Sequence, residues 1–339
     1  MCDAVTVIRW DMRLFSPCGF SNIAQGNARN RGRPSRRRIG GNPIARPKCL
    51  VAAEPLPRNA EAPHPMVPSF NRPPLVDIHC HILPNLDDGP DDWRESLAMA
   101  RLAVADGVST IIATPHQMGG DVVSARKIRE RTEHLRQYLA QHGVPLEIVP
   151  GAEVRISPDL VGLLESGEVL TLAEQGRYLL LELPAEVYMP LERPLEDLRR
   201  VGITAILAHP ERNAGILAHP RVARELVEAG CLLQVTANSL FGAFGRDVQK
   251  ITERLLSSGL IHFVASDAHG SKSRRPMMRR AFERVRDLAG YQTACEVCCF
   301  NAQDVLSNRG LNVHPRVAET EPSRRSFSLA RWFQWRRAG

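Results

Sequence analysis

Seven short apolar runs rich in β-branched residues recur along this chain, at 75–79, 110–114, 146–149, 178–183, 204–208, 232–236 and 262–266. Runs this short, apolar along their whole length, are what strands buried on both faces require. Stretches with helical spacing separate them, at 92–106, 124–142, 191–201, 221–229 and 248–258, and three more follow the last run at 276–289, 291–299 and 301–309. Strands alternating with crossover helices predict a parallel sheet of the α/β class. Seven strands inside a ring of helices predict a distorted seven-stranded (β/α) barrel, similar to the TIM architecture, spanning 75–309.

The ends of the runs carry the chemistry. His79 and His81 close the first run, His116 follows the second, and Glu153 follows the third. Glu182 ends the fourth, His209 follows the fifth, and Asp267 and His269 follow the seventh. Asp88 lies in the loop after the first. In a parallel barrel these positions share the C-terminal face, where active sites form. Residues i and i+2 of a strand point to one side, so His79 and His81 are expected to face inward together and Cys80 outward. Five His and four carboxylates exceed the three or four ligands of one tetrahedral zinc. They suit two or three divalent ions sharing a bridging carboxylate, and the nitrogen and oxygen donors admit Mn, Fe, Zn or Mg. Three such ions against four carboxylates leave a net positive site that suits a phosphate dianion. Arg212, just past His209, and Arg274, just past His269, are placed to grip it. Arg275 reads as a surface residue.

Charge is unevenly distributed. Residues 1–72 hold 12 Lys/Arg against 4 Asp/Glu, and residues 309–339 hold 7 Arg against 2 Glu. Of the overall +7, the interval 73–308 therefore carries −6, which disfavours a nucleic-acid track across the folded part. The segment 1–74 reads as a disordered Pro/Arg-rich extension and 310–339 as a basic aromatic tail, also disordered. Its Trp332, Phe333 and Trp335 among arginines could rest weakly on an anionic membrane surface. No apolar stretch reaches the ~18 residues of a membrane span, and charged residues interrupt any N-terminal leader. With cysteines inside apolar runs, a reducing cytoplasm is the expected location.

Asp77-Ile78-His79-Cys80-His81-Ile82-Leu83-Pro84, Asp87-Asp88-Gly89-Pro90, Ala113-Thr114-Pro115-His116, Ala208-His209-Pro210-Glu211-Arg212 and Ser266-Asp267-Ala268-His269 together resemble the PHP (polymerase and histidinol phosphatase) superfamily. More closely, the chain resembles the PHP-type bacterial protein-tyrosine phosphatases of capsule and exopolysaccharide loci. The loop Asn238-Ser239-Leu240 with Phe244-Gly245 fits as well. The resemblance implies a PHP-type barrel with a trinuclear, usually manganese, site. His79, His81, Glu153 and Asp267 would hold one ion, and Glu153 would bridge to a second held by Glu182 and His209. Asp88, His116 and His269 would hold the third. Arg212 and Arg274 would bind phosphate and, with Asp88, form the catalytic set. The implied partner is a tyrosine-phosphorylated protein, a bacterial membrane tyrosine kinase, with no nucleic acid expected.

The implied reaction is hydrolysis of phosphotyrosine by hydroxide generated on the metals, without a phospho-enzyme. A thiol route is disfavoured: none of the eight cysteines is followed at the sixth position by the Arg of a C-x5-R loop. The alternative is a small-molecule phosphatase of the histidinol-phosphate type, against which Asp88 in D-D-G-P weighs. A metal nuclease is disfavoured by the acidic core, and a binding scaffold without turnover by the complete ligand set. Cys295-x-x-Cys298-Cys299 reads as helix packing, His219 as a decoy at a helix start, and His64, His134, His142, His262 and His314 as surface or structural.

Overall fold

The computed structural model describes residues 73–117 and 123–311. The expected extension therefore lies outside the described residues up to residue 72, and the expected tail from residue 312 onward. The strands are β1 (Leu75–Cys80), β2 (Val108–Ala113), β3 (His116–Gln117), β4 (Glu147–Pro150), β5 (Glu153–Arg155), β6 (Tyr178–Glu182), β7 (Thr204–Ala208), β8 (Leu232–Thr236) and β9 (Phe263–Ala265). The helices are α1 (Trp93–Asp106), α2 (Ala125–Gln141), α3 (Leu160–Glu165), α4 (Glu192–Arg200), α5 (Ala214–Ala218), α6 (Arg221–Glu228), α7 (Arg246–Ser257), α8 (Arg279–Ala289), α9 (Tyr291–Cys295) and α10 (Asn301–Leu306). Asp92 starts α1 by accepting the Arg94 and Glu95 N–H groups, and Gly107, at φ 93°, ends it in the left-handed conformation that glycine tolerates.

All seven expected runs form strands, and every pairing is parallel. The ladder is not one closed ring. It divides into a three-stranded sheet, β1-β2-β4, and a six-stranded sheet, β3-β5-β6-β7-β8-β9. Two of the expected strands are each followed by a short strand that the apolar runs do not include. Thr114 and Pro115 separate β2 from β3, and Pro115, which has no N–H, gives only its carbonyl to Glu153 N at 3.1 Å. Gly151 and Ala152 separate β4 from β5, where the chain passes so close that a Cβ on Gly151 would lie 2.7 Å from Ile112 Cγ2. Across the other junction β1 meets the end of β9 through a single parallel bridge, Cys80 to Ala268. His81 N donates to Ala268 O at 2.9 Å and Asp267 N to His79 O at 2.8 Å beside it.

Side-chain alternation sorts the core into two clusters. Val76, Ile78, Ile112, Tyr178, Leu180, Ile206, Ala208, Leu232, Phe263 and Ala265 share one, closed at its base by Ala302 and Val305 of α10. Their strand neighbours join the helix-facing cluster with Leu97, Ile128, Leu135, Leu198, Leu226, Leu255 and Phe282. Period 2 then carries Glu182 onto the face of Tyr178 and Leu180, and Gln234 onto that of Leu232. β1 departs from this rule. Val76 and Ile78 belong to the inner cluster and Cys80 to the outer one, although all three have the same parity. The pairing with β2 slips between Asp77 and Cys80, and this irregularity re-aims the strand's last residues. Asp77 holds the kink: its Oδ1 accepts His79 N at 3.3 Å and Ser266 N at 3.0 Å.

The expected helix at 291–299 is interrupted, because Glu296–Phe300 is a π turn between α9 and α10. Cys295, at the end of α9, and Cys298 and Cys299, in the π turn, are all buried as packing residues. His134 and His142 are exposed, whereas His262 is buried and structural. Its Nδ1 accepts Leu233 N at 3.0 Å, and its own N–H donates to Leu233 O at 3.0 Å. Burial pushes its pKa down to about 4 from 6.5. The folded state thus binds this proton less readily than the unfolded chain. Its stabilising effect is complete above about pH 6.5 and is lost as pH falls toward 4, a change of about 3 kcal/mol. In His262→Gln the amide oxygen can still accept Leu233 N but does not titrate. Denaturant unfolding at stepped pH should show a shallower acid-side loss in H262Q, and parallel profiles would refute the assignment.

Candidate metal centre

All nine sequence-derived donors meet at the C-terminal ends of the strands. They form four overlapping groups in which one donor atom from each residue lies within 4.8 Å of the others. His81, Asp88, His116 and His269 make one, and His79, His81 and Asp267 a second. His79, Glu153 and His209 make the third, and His116, Glu153 and Glu182 the fourth. The grouping differs from the one the resemblance implies: His209 joins His79 and Glu153, whereas Glu182 joins His116 and Glu153, so Glu182 and His209 share no group. Glu153 is the hub. Its Oε2 lies 3.3 Å from His79 Nε2, 3.4 Å from His81 Nε2 and 3.0 Å from His116 Nδ1, and its Oε1 lies 2.8 Å from His209 Nε2.

The imidazoles are aimed from behind. His79 Nδ1 donates to Gln234 Oε1 at 2.8 Å, and His81 Nδ1 donates to Asp87 Oδ2 at 2.7 Å. Because each partner oxygen accepts, the two Nδ1 atoms carry the protons and both Nε2 atoms turn toward Glu153 and Asp267. Asp87 Oδ2 also accepts His116 N at 3.0 Å, and its Oδ1 accepts Gly89 N at 3.0 Å. Asp87 therefore braces β1, the D-D-G-P loop and β3 at once. Glu182 is braced by Arg155, whose Nε and Nη2 both reach its Oε2 at 3.0 Å. Motif spacing did not single out the bracing roles of Gln234, Asp87 and Arg155. Gln234 did leave a signal, as a lone amide in the apolar run Leu232-Leu233-Gln234-Val235, where burial demands a polar partner.

Without cations, protons balance the site. Burial opposes charge on His81, but the Asp87 and Glu153 carboxylates outweigh it and push its pKa up to about 9. Burial likewise opposes charge on His116, and Asp88 and Glu153 push it up to about 10. Burial would raise Glu153, yet His79, His116 and His209 hold it well below the usual carboxylate range. The donor set fits divalent cations for a further reason. Glu153 Oε2 and His116 Nδ1 are buried, lie 3.0 Å apart, and make no hydrogen bond to each other or to anything else. Two donors placed so are arranged as ligands of a common third atom rather than as partners.

The two expected arginines converge on one carboxylate. Arg212 Nη1 reaches Asp267 Oδ2 at 2.8 Å, and Arg274 Nη2 reaches Asp267 Oδ1 at 2.7 Å. Phe244 supports Arg212, the guanidinium carbon lying 4.9 Å from the ring centre. Glu211, fully buried, accepts Thr236 N at 2.8 Å and Ser239 Oγ at 2.7 Å, which ties the Arg212 turn to the loop carrying Asn238 and Phe241. His209, Asp267 and Arg274 all adopt positive φ (34°, 50° and 46°), strain of a kind that concentrates at working sites. Arg275 is exposed, and His219, exposed between α5 and α6, joins none of the groups.

Residues 75–307 match the family model CpsB/CapC, capsular polysaccharide synthesis. The chain is 41% identical over 203 residues to the tyrosine-protein phosphatase YwqE of Bacillus subtilis, covering 59% of this chain and 79% of that protein. It is 32% identical to the putative tyrosine-protein phosphatase CapC of Staphylococcus aureus, covering 76% and 99%. To the tyrosine-protein phosphatase CpsB of Streptococcus pneumoniae it is 30% identical, covering 69% and 99%. A crystal structure from work on YwqE and CpsB, described as metal-dependent tyrosine phosphatases, superposes with TM-score 0.69 at 36% identity, covering 74% of this chain and all of that one. With its strand-end motifs and its whole α/β unit inside the matched region, this chain belongs to the CpsB/CapC family of capsular polysaccharide synthesis.

Proposed function

We propose that this protein is a metal-dependent protein-tyrosine phosphatase that hydrolyses phosphotyrosine in proteins of polysaccharide export. The observation that carries the reading is the convergence of nine nitrogen and oxygen donors around the buried Glu153 carboxylate, with two guanidiniums at the same place. The relatives named as tyrosine-protein phosphatases support it, and they do not favour the histidinol-phosphate alternative. The substrate in this reading is a membrane tyrosine kinase of the same locus. A cytoplasmic location agrees with the buried thiols of Cys80, Cys231 and Cys295, which form no disulfide. Among the described residues no helix is long and apolar enough to cross a membrane.

The catalytic domain of this reading runs from 75 to 309, flanked by the segments 1–74 and 310–339. Its two sheets belong to one distorted barrel, β2 with β3 and β4 with β5 each acting as one interrupted stave. The hydrogen bonds from Thr114 N to Cys80 O, 3.0 Å, and from Glu153 N to Pro115 O, together with the Cys80–Ala268 bridge, support that closure.

His79, His81, Asp88, His116, Glu153, Glu182, His209, Asp267 and His269 would hold two or three divalent ions, manganese by family resemblance, with Glu153 shared between them. Bound there, such ions lower the pKa of water to near 7 and offset charge on the phosphoryl oxygens. Arg212 and Arg274 grip the phosphate, exchanging part of their hold on Asp267 for its oxygens. Asp88, the exposed member of the set, has its Oδ1 3.2 Å from His269 Nε2 and 3.5 Å from His116 Nε2. From that position it would carry the proton that the attacking water gives up to the departing phenolate, so that water and aryl phosphate yield phenol and phosphate in balance. Asp87 and Gln234 keep the imidazole lone pairs aimed inward throughout.

Protein stripped with chelator and dialysed should not hydrolyse p-nitrophenyl phosphate or a phosphotyrosine peptide, and added Mn2+ should restore both. Full activity in excess EDTA after dialysis would defeat the reading. Asp87→Asn, which removes the charge behind His81, is expected to weaken metal affinity by about 10–100-fold in a competition titration. Affinity unchanged in that variant would remove Asp87 from its bracing role.

A further inference from the structure

Beside the donor cluster lies a cavity of about 240 Å³. Glu182, His209 and Arg212 form its inner wall, so it is continuous with the place where phosphate would sit. The rest of its lining is largely apolar, including Leu183, Ala185, Pro210 and Ile216. That volume lies below the ~300–1,000 Å³ of pockets for drug-sized ligands and suits one small ring system. Arg212 is fixed beside it, stacked on Phe244 and paired with Asp267.

Ala185, on the lining, belongs to the loop at 184–190, which follows β6. This loop is tied down at several points. Asn213 Nδ2 donates to Pro184 O at 2.8 Å and to Val187 O at 3.0 Å, while its Oδ1 accepts Gly215 N and Ile216 N at 3.1 Å each. Ala214 N donates to Ala185 O at 2.8 Å. Gly215 lets Tyr188 pack directly on α5, because a Cβ there would collide with Tyr188 Cβ. The loop is therefore built rather than loose, yet it exposes Val187 at 53% and Met189 at 37%. Exposed apolar side chains on a loop that contributes to the cavity offer contact to residues flanking a bound group.

We propose that this cavity receives the phenyl ring of the phosphotyrosine substrate. The 184–190 loop then sets the preference for aryl over alkyl phosphomonoesters, with Val187 and Met189 meeting the neighbouring substrate residues. This rests on the phosphatase reading above and specifies where its selectivity resides. A ring entering here leaves its ester oxygen beside Arg212 and His209. A short alkyl group leaves the apolar walls unfilled and forfeits that burial.

Ala185 is exposed and contributes only its backbone carbonyl to the loop, so a large side chain there obstructs the cavity without disturbing the core. The Mn2+-loaded enzyme and its Ala185→Trp variant would be compared with benzylphosphonate and methylphosphonate as competitive inhibitors, and with a phosphotyrosine peptide as substrate. Expected is a loss of about tenfold or more in benzylphosphonate affinity and in kcat/KM for the peptide, with methylphosphonate inhibition unchanged. Equal loss for both phosphonates, or an unchanged aryl preference, overturns the assignment. Ile216→Ala, which widens the cavity, should raise the ratio of naphthyl to phenyl phosphate kcat/KM about threefold or more, and a constant ratio also overturns it. A wild-type enzyme that hydrolyses no aryl phosphate with any added divalent metal would instead defeat the phosphatase reading itself.

Discussion

Glu153 is the constraint around which the site is organised. It is 1% exposed, and an ionised carboxylate so deep in protein is costly unless countercharges surround it. Four imidazoles do so, from β1, β3 and the end of β7. Its place depends on the break between β4 and β5, where Gly151 passes against Ile112 and restarts the strand in pairing with β3 and β6. A continuous strand from 147 to 155 would give no such turn. The broken ladder is thus not a flaw in the sheet but the means by which a carboxylate is carried to the middle of the donor set.

β1 makes the same exchange of regularity for aim. Its early residues pack by ordinary alternation, and the slip at Asp77 lets His79 and His81 take the inward face beyond it. Asp77 is fully buried, and burial pushes its carboxyl up to about 6 despite the N–H groups of Ser266 and His79. The strand spends a polar side chain to hold a kink, which places two ring nitrogens 3.2 Å apart. Downstream, His209 and Asp267 leave their strands in left-handed conformations, so three of the strand ends that build the site depart from regular geometry.

These departures explain what the sequence did and did not reveal. Strands buried on both faces announce themselves as apolar runs, which is why β1, β2, β4 and β6 to β9 were legible. The two- and three-residue strands β3 and β5 are too short for any period to register, and α3, six residues long, fails for the same reason. Donors at the ends of runs were legible because a His or carboxylate there has few other uses. The residues that aim them were not, since Gln234 is 155 positions from His79 and Arg155 is 27 from Glu182, and no spacing rule links such pairs. The parity of His79 and His81 followed from simple alternation. The irregularity that makes their inward aim compatible with inward Val76 and Ile78 required coordinates.

In the phosphatase reading, Asp267 links phosphate binding to cation binding. Its two oxygens each receive a guanidinium, and the same oxygens lie near His79 Nε2 and Thr236 Oγ1, at 3.4 Å in both cases. Its two oxygens offer about four lone pairs, for which a cation bound there would compete with the guanidiniums. In the phosphatase reading a divalent ion held by Asp267 would weaken its hold on the arginines, and an arriving phosphate would offer both arginines better acceptors. Each event would thereby favour the other: the ion would free the arginines, and the phosphate, by taking them, would leave the carboxylate to the ion. Phe244 under Arg212 and Glu211 under its turn limit how far that guanidinium can travel. The exchange is therefore a short pivot between fixed neighbours and does not require the loop to open.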